Sequence, residues 1–538
     1  MTALPHAARR PVALLACAAL VAGVGVLATV TAGTASPSTG QTPKASPPVS
    51  DAQVQAAIDQ LDTIVADIRD KSGVPGMSVA VTWKGSTVYA KGFGVREVGK
   101  PALVDADTVF QLASVSKSVG ATVVAREVSK GTVSWDTKVT RYLPRFALAD
   151  PYVTSNVTIG DMYAHRSGLR EHAGDQLEDL GYTRAQVLAR LRLEKLHSFR
   201  DVYAYTNFGM TAAGVAVANA AGLDWASLSQ RDIYGPLDMT STSSRFADYI
   251  SRKNRAVTHR LLNGVYVADT VRQPDAESPA AGVSSSARDM AKWLTMVLHS
   301  GQYDGQQIVG EKALVAAGAP RMISGPSETL AGRSGFYGYG FNVDTTPAVG
   351  TRLSHSGAFS AGAATNFVAL PGIDLGIVVL TNGSPVGAPE AVAAMFSDLA
   401  QNGSLTLDWW TIYHDAYTRL AGPTGALVGK PRPTNPAPSL RISAYTGVYG
   451  NSYYGAARVY WSRNALWLQL GPNKTTYRLR HWSGSRFTFV PTGESAMTGS
   501  LSIADFGLLR SGRTTKLTLE FYNTDPEGHV IGLGVWRR

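Results

Sequence analysis

Apolar residues recur at three- and four-residue spacing over residues 51–72, DAQVQAAIDQLDTIVADIRDKS. That period predicts an amphipathic helix. The GVPG that follows ends it. Next, MSVAVTWKG and STVYAKGFG alternate apolar and polar residues on either side of a Lys84–Gly85 turn, which predicts a hairpin. Much later in the chain, LSHSGAFSAGAATNFVALPG and DLGIVVLTNG read as further strands and PEAVAAMFSDLAQ as a helix. Strands drawn from both ends of one stretch predict an antiparallel sheet closed by its two termini. An all-helical insert is expected between them over roughly 114–320, where DMAKWLTMVLHS and TAAGVAVANAAG are apolar helix patterns.

The texture changes after Asn402. A helix-like piece, LTLDWWTIYHDAYTRLAG, leads into the proline-rich GKPRPTNPAPS. Short alternating stretches follow: ARVYWS, ALWLQLG, TYRLRHW, RFTFVP, KLTLEFY and HVIGLGVW. Turn residues separate them, which predicts an all-β module, a barrel or a sandwich. The organisation expected is an α+β domain over 51–402, a helix and linker over 403–435 and a β module over 436–538.

Composition changes little in this picture. The chain has 538 residues, 44% of them apolar and 17% charged, enough for large cores. The N-terminus changes more. MTALPHAARRP precedes an apolar run from Val12 to Val30, then small residues near Gly33 and Ala35. This pattern predicts a secretory signal over 1–35 and a Ser/Pro linker over 36–50. The run is long, so an uncleaved anchor is the alternative. Cys17 is the only cysteine. If the signal is removed, disulfides, thiolate catalysis and cysteine-bound metals are excluded.

Net charge is +10, and residues 436–538 carry 12 Lys+Arg against 5 Asp+Glu. On an exported protein such a module would favour anionic surfaces such as cell-wall polymers. A solvated basic face is the plainer reading. The chain has no nucleic-acid motif, no H-E-x-x-H and no phosphate loop, so no metal or other cofactor is implied.

The stretch FQLASVSKSVGATVV, residues 110–124, places Ser114 and Lys117 three apart. A helix is expected from about Ala113 to Lys130, and positions i and i+3 share a helix face. A serine in the first turn has its own amide free. The layout therefore offers a hydroxyl, an amine and an oxyanion donor together. A lysine among apolar groups loses hydration, so its pKa falls and it can serve as a base for the serine. A capping serine beside a snorkelling lysine is the alternative.

Two other places bear on the choice. In YAYTNFGM, Tyr205 can pass a proton to a leaving group, and Asn207 can hold a substrate carbonyl and the lysine. A core tyrosine would look the same. In RLSHSGAFSAG, His355 and Gly357 fall on an expected strand. The glycine would let substrate backbone approach, and the Ala358 amide could complete an oxyanion hole with that of Ser114. A half-buried structural histidine is the alternative for His355.

The order S-x-x-K, Y-x-N, H-x-G resembles the serine hydrolases of the class C β-lactamase and D-alanyl-D-alanine carboxypeptidase group, which includes esterases and D-aminopeptidases. HRSGL (165–169), IYGPLDMTST (233–242), PAAGVSSSARDMAKWL (279–294) and YGYGF (337–341) resemble further segments of that group. The resemblance implies an α/β sandwich with a helical insert. It implies Ser114 as nucleophile, Lys117 as its base, Tyr205 as acid/base and Asn207 as positioning group. His165 and Gly168 are expected to be structural. His355 stands where β-lactamases usually carry the lysine of K-T-G, which favours peptide or ester substrates over β-lactams. The module from about 436 resembles a lipocalin-like barrel.

The expectation is a secreted serine hydrolase with an acyl-enzyme on Ser114, at the cell wall or membrane or free of both. Its substrate would be a small molecule or peptide: a D-amino-acid peptide, an ester or a β-lactam. A D-alanyl-D-alanine carboxypeptidase or related D-amino-acid peptidase is preferred. A carboxylesterase or β-lactamase is the alternative, and a non-catalytic penicillin-binding sensor the remaining one.

Overall fold

The computed structural model describes residues 49–330, 332–525 and 528–538. The expected signal and nearly all of the linker after it lie outside these residues. Among the described residues no helix is long and apolar enough to cross a membrane. The chain divides into two compact units. One runs through Thr418 and also includes Thr492–Thr498; the other holds Arg419–Pro491 and Gly499–Arg538.

The first unit opens with α1 (Asp51–Asp59), capped by Ser50, and α2 (Leu61–Ser72), ended by Gly73 at φ 67. One helix was expected here. The structure bends at Gln60, which stays in the right-handed helical region, so the buried stripe Val54, Ile58, Leu61, Val65, Ile68 runs unbroken through both helices. The hairpin β1 (Gly76–Trp83) and β2 (Ser86–Gly94) follows as expected.

Further along come α3 (Ser116–Ser129), α4 (Asn207–Ala220) and α5 (Ala287–Leu298). Then come β3 (Met322–Gly325), β4 (Gly335–Tyr337), β5 (Asn342–Thr346), β6 (Gly350–Phe359), β7 (Ala363–Leu370), β8 (Leu375–Thr381) and α6 (Ala388–Asn402). The strands form one antiparallel sheet in the order β2-β1-β8-β7-β6-β5-β4-β3. Val79 of β1 faces Val379 of β8, so strands from the two ends of the unit lie side by side in the sheet.

Alternation along the strands serves two helical layers. Val79, Val81, Val368, Ile377 and Val379 pack with residues of α1, α2 and α6. On the opposite face Trp293 of α5 meets Phe367 edge-on, ring centroids 5.0 Å apart. Each such fully buried aliphatic or aromatic side chain contributes roughly 1.5–3 kcal/mol.

The insert is not all-helical. Three two-stranded ladders interrupt it: Phe110–Gln111 with Ser284–Ser285, Arg260–Leu262 with Val265–Val267, and Gln302–Tyr303 with Gln306–Gln307. Two of these turn on Asn263–Gly264 (φ 50 and 79) and Asp304–Gly305 (φ 47 and 71). Asn-Gly and Asp-Gly adopt paired positive φ values readily, which is what a two-residue hairpin turn requires.

The second unit carries eight strands, each antiparallel to the next: β9 (Gly447–Tyr449), β10 (Ala457–Ser462), β11 (Ala465–Leu470), β12 (Thr475–Ser483), β13 (Arg486–Phe489), β14 (Ser502–Arg510), β15 (Arg513–Leu519) and β16 (Val535–Arg537). Gly450 and Arg537 exchange backbone hydrogen bonds of 2.7 and 2.9 Å, which joins the first strand to the last as the barrel expectation requires. Strand β14 was not anticipated. Its first inward residues are the small Ser502 and Ala504, with Ile503 on the other face, and a large apolar residue faces inward only at Phe506, so the alternation is weak at its start.

Candidate active site

The expected nucleophile lies just before α3. Ala113–Val115 make one turn of 3-10 helix, and the α-helix proper begins at Ser116. Ala113 holds φ 47, a left-handed conformation that a residue with a Cβ adopts only under constraint. Constraint comes from both sides. The Leu112 amide donates to Val283 O at 2.8 Å, and Leu112 O accepts from Thr365 Oγ1 at 2.7 Å. A Cβ on Gly357 would lie 2.1 Å from Leu112 O and 3.0 Å from Ser114 N. Gly357 therefore makes room for the nucleophile turn.

Lys117 is fully buried, as its place on the inner face of α3 requires. Its Nζ lies 2.7 Å from Asn207 Oδ1, 3.2 Å from Ala280 O and 3.0 Å from Ser114 Oγ. Burial pushes the amine down to about 7; the Glu277 and Asp175 carboxylates oppose that fall and Arg272 adds to it. A neutral amine has two N–H donors and one lone pair. Two of its neighbours are carbonyl oxygens, which only accept. The lone pair is thus left for the Ser114 hydroxyl.

Tyr205 donates to Ser114 Oγ at 2.7 Å. Burial holds its pKa well above the ordinary value, so the phenol keeps its proton. Its ring lies under Lys117 Nζ, 4.5 Å from the centroid, and against His165 at 4.5 Å. His165 Nδ1 accepts from the Thr206 amide at 3.1 Å, bracing the backbone beside Tyr205. Asn207 is the first residue of α4, and its Nδ2 donates to Asp175 Oδ2 at 2.9 Å. Arg166 of the HRSGL segment pairs with the buried Asp161 at 2.8 Å.

His355 stands on β6 in the wall of the site, 1% exposed. Its Nδ1 donates to Ser356 O at 2.6 Å, and its Nε2 accepts from Tyr337 OH at 2.9 Å. Burial, reinforced by the Lys117 charge, pushes it down to about 3. It is therefore a neutral ring with both nitrogens engaged inside the protein. Strand β5 pairs with β6 only as far as Ser354. From His355 to Phe359 that edge of β6 has no ladder partner among the described strands, and Ala358 there is half-exposed.

A model of the β-lactamase family matches residues 61–402. The chain belongs to the β-lactamase family. Members of that family are serine hydrolases that act on small molecules or peptides. A second model, a domain of unknown function, matches residues 431–533. The chain is 26% identical over 428 residues to an unguisins hydrolase of Aspergillus violaceofuscus, covering 71% of this chain and 73% of that one. It is 29% identical over 348 residues to penicillin-binding protein 4 of Amycolatopsis lactamdurans, covering 62% and 85%. The octameric penicillin-binding protein homologue from Pyrococcus abyssi shares the fold, with TM-score 0.56, 19% identity and coverage of 86% and 98%.

The structure of this β-lactamase-family hydrolase brings Ser114, Lys117, Tyr205 and Asn207 into direct contact. It also adds groups that the sequence reading did not name. Arg272 pairs with Glu178 at 2.5 Å and Glu277 at 3.0 Å, and lies 3.6 Å from Asp179 and 3.7 Å from Glu494. Burial pushes Glu277 up to about 7 against the pull of Arg272. Asp175, between Asn207 and His172, was also missed. No motif spacing marks these residues, because the partners that tie them to the site, Asn207 for Asp175 and Glu178 for Arg272, lie 32 and 94 residues away.

Proposed function

We propose that this protein is an exported serine peptidase that cleaves D-amino-acid peptides through an acyl-enzyme on Ser114. A D,D-carboxypeptidase or a related D-amino-acid peptidase is the activity intended. The observation that carries this is Ser114 Oγ itself, 3.0 Å from a buried lysine amine and 2.7 Å from a protonated tyrosine, beside an unpaired strand edge.

Neutral Lys117 takes the hydroxyl proton as Ser114 Oγ attacks the carbonyl carbon. The oxyanion forms between the amides of Ser114 and Ala358. Tyr205 gives its proton to the leaving amine and is restored from Lys117. Water then attacks the acyl-enzyme by the reverse of the same transfers. An extended peptide is supported by the open edge of β6, which can add a strand. The neutral His355, in place of a lysine, supports peptides over β-lactams. Two relatives are named for hydrolysing unguisins and for binding penicillin. Export through the N-terminal segment, and contact of the basic module with anionic wall polymers, belong to the same proposal.

The test is the intact mass of the mature protein with excess penicillin, over time, beside Ser114→Ala. A persistent adduct of one penicillin, absent from the variant, and release of D-alanine from D-alanyl-D-alanine peptides are expected. Destruction of penicillin with no adduct would make the protein a β-lactamase. Survival of penicillin with cleavage only of short esters would make it an esterase.

A further inference from the structure

Asn207 has the right group facing Lys117, but nothing in its shape ensures this. A carboxamide turned end for end fills the same space. Turned, its NH2 would face Lys117 Nζ, and the amine would have to accept there. The lone pair would then be drawn away from Ser114. The chemistry depends on a choice that Asn207 does not make alone.

Asp175 makes it. The residue is 7% exposed and begins the short helix Asp175–Asp179. Gly174 before it holds φ 96, and a Cβ there would lie 2.8 Å from Phe208 and Val187, so the backbone is pinned against the start of α4. Asp175 Oδ2 accepts from Asn207 Nδ2 at 2.9 Å and lies 2.8 Å from His172 Nδ1. Its Oδ1 is buried and has no hydrogen-bond partner among the described residues. A carboxylate offers acceptors only. It can be satisfied by the NH2 end of Asn207 and not by the oxygen end, which is thereby turned to Lys117.

We propose that Asp175, held by His172, is a positioning residue that fixes the Asn207 amide and so aims the Lys117 lone pair at Ser114. The proposal rests on the acyl-enzyme reading of Ser114 and Lys117. Asp175 also acts through its charge. Lys117 is faced by Glu277 and Asp175, which favour its cation, and by Arg272, which opposes it. The neighbouring His165 and His355 are held neutral by burial and by Lys117. Burial works against a charged His172, yet the hydrogen bond and charge of Asp175 raise it; Glu171 adds to that rise and Lys117 opposes it.

The test is Asp175→Asn in the full chain, which keeps the shape but offers a donor as well as an acceptor. Two readouts are taken. One is the pH profile of ester hydrolysis, with kcat and KM separated. Here kcat is expected to fall roughly ten- to hundredfold, the scale of a misaligned general base, with KM within about twofold. The acid limb is expected to move to lower pH. The other is the titration of Lys117 Cε by carbon NMR in lysine-labelled Ser114→Ala protein, with the signal identified by its loss in Lys117→Arg. That titration is expected to move to lower pH in Asp175→Asn.

If both profiles stay where they are, the proposal is overturned. A lower melting temperature with an unmoved lysine titration overturns it too, because Asp175 would then be structural only. If the unsubstituted protein hydrolyses nothing, the peptidase reading fails, and the lysine titration still decides the role of Asp175.

Discussion

The Tyr205 hydroxyl stands 2.7 Å from Ser114 Oγ and keeps its own proton because its ring is buried. A protonated phenol cannot be the resting base, so activation of Ser114 falls to Lys117 and Tyr205 is left to serve the leaving group. Tyr205→Phe is therefore expected to slow amide cleavage about 100-fold or more, the usual scale for loss of a general acid. Cleavage of a nitrophenyl ester, whose leaving group needs no proton, is expected to suffer much less. Parallel kcat/KM measurements on a peptide and on such an ester check this.

Lys117 sets the pH dependence. With its amine at about 7, acylation is expected to fall tenfold for each pH unit below that value, as the base becomes protonated. Stability moves with it. Between about pH 7 and the ordinary lysine value of 10.5, the unfolded chain holds a proton that the folded chain has released. The Lys117 contribution to stability must therefore rise with pH across that window. Denaturant unfolding of the parent and Lys117→Met across that range isolates the slope. It is expected in the parent and absent from the variant.

Gly357 has no room for a methyl group. A Cβ would meet Leu112 O at 2.1 Å and Thr365 Oγ1 at 2.5 Å, one backbone and one buried side-chain atom. Gly357→Ala is expected to cost about 1–3 kcal/mol by overpacking. It is also expected to displace the turn that carries Ser114, so labelling of Ser114 by a covalent acylating agent should slow in protein that remains folded.

Ala113 shows the opposite case. Replacing alanine with glycine in regular structure costs about 0.5–1 kcal/mol. At φ 47 an L-residue is already strained, by about 1–2 kcal/mol. Ala113→Gly is expected to leave stability unchanged or raise it by up to about 1 kcal/mol, read from the denaturant midpoint.

Much of the fold was legible in the sequence. The period-2 stretches flanking Lys84–Gly85 and the run through Val379 became neighbouring strands of one sheet. The two hairpins of the insert were equally legible in Asn263–Gly264 and Asp304–Gly305, yet the helical texture around them dominated the reading. Strand β14 was not legible, because its first two inward residues, Ser502 and Ala504, are small and the large apolar Phe506 follows only after them.

For the site, the sequence by itself determined that Ser114 and Lys117 meet, since three residues in a helical turn bring two side chains to one face. It also determined a helix over TAAGVAVANAAG, though the structure starts that helix a turn earlier, at Asn207. The protonation states and hydrogen-bond directions were decided only by tertiary structure. Lys117 is neutralised by burial among segments that carry Asn207 and Ala280, 90 and 163 residues away. His355 is kept neutral in the wall by burial and by Lys117, and Asn207 is oriented by Asp175. Local spacing acts through bonds and short turns. Desolvation and charge act through space, and the folded chain alone sets which residues share that space.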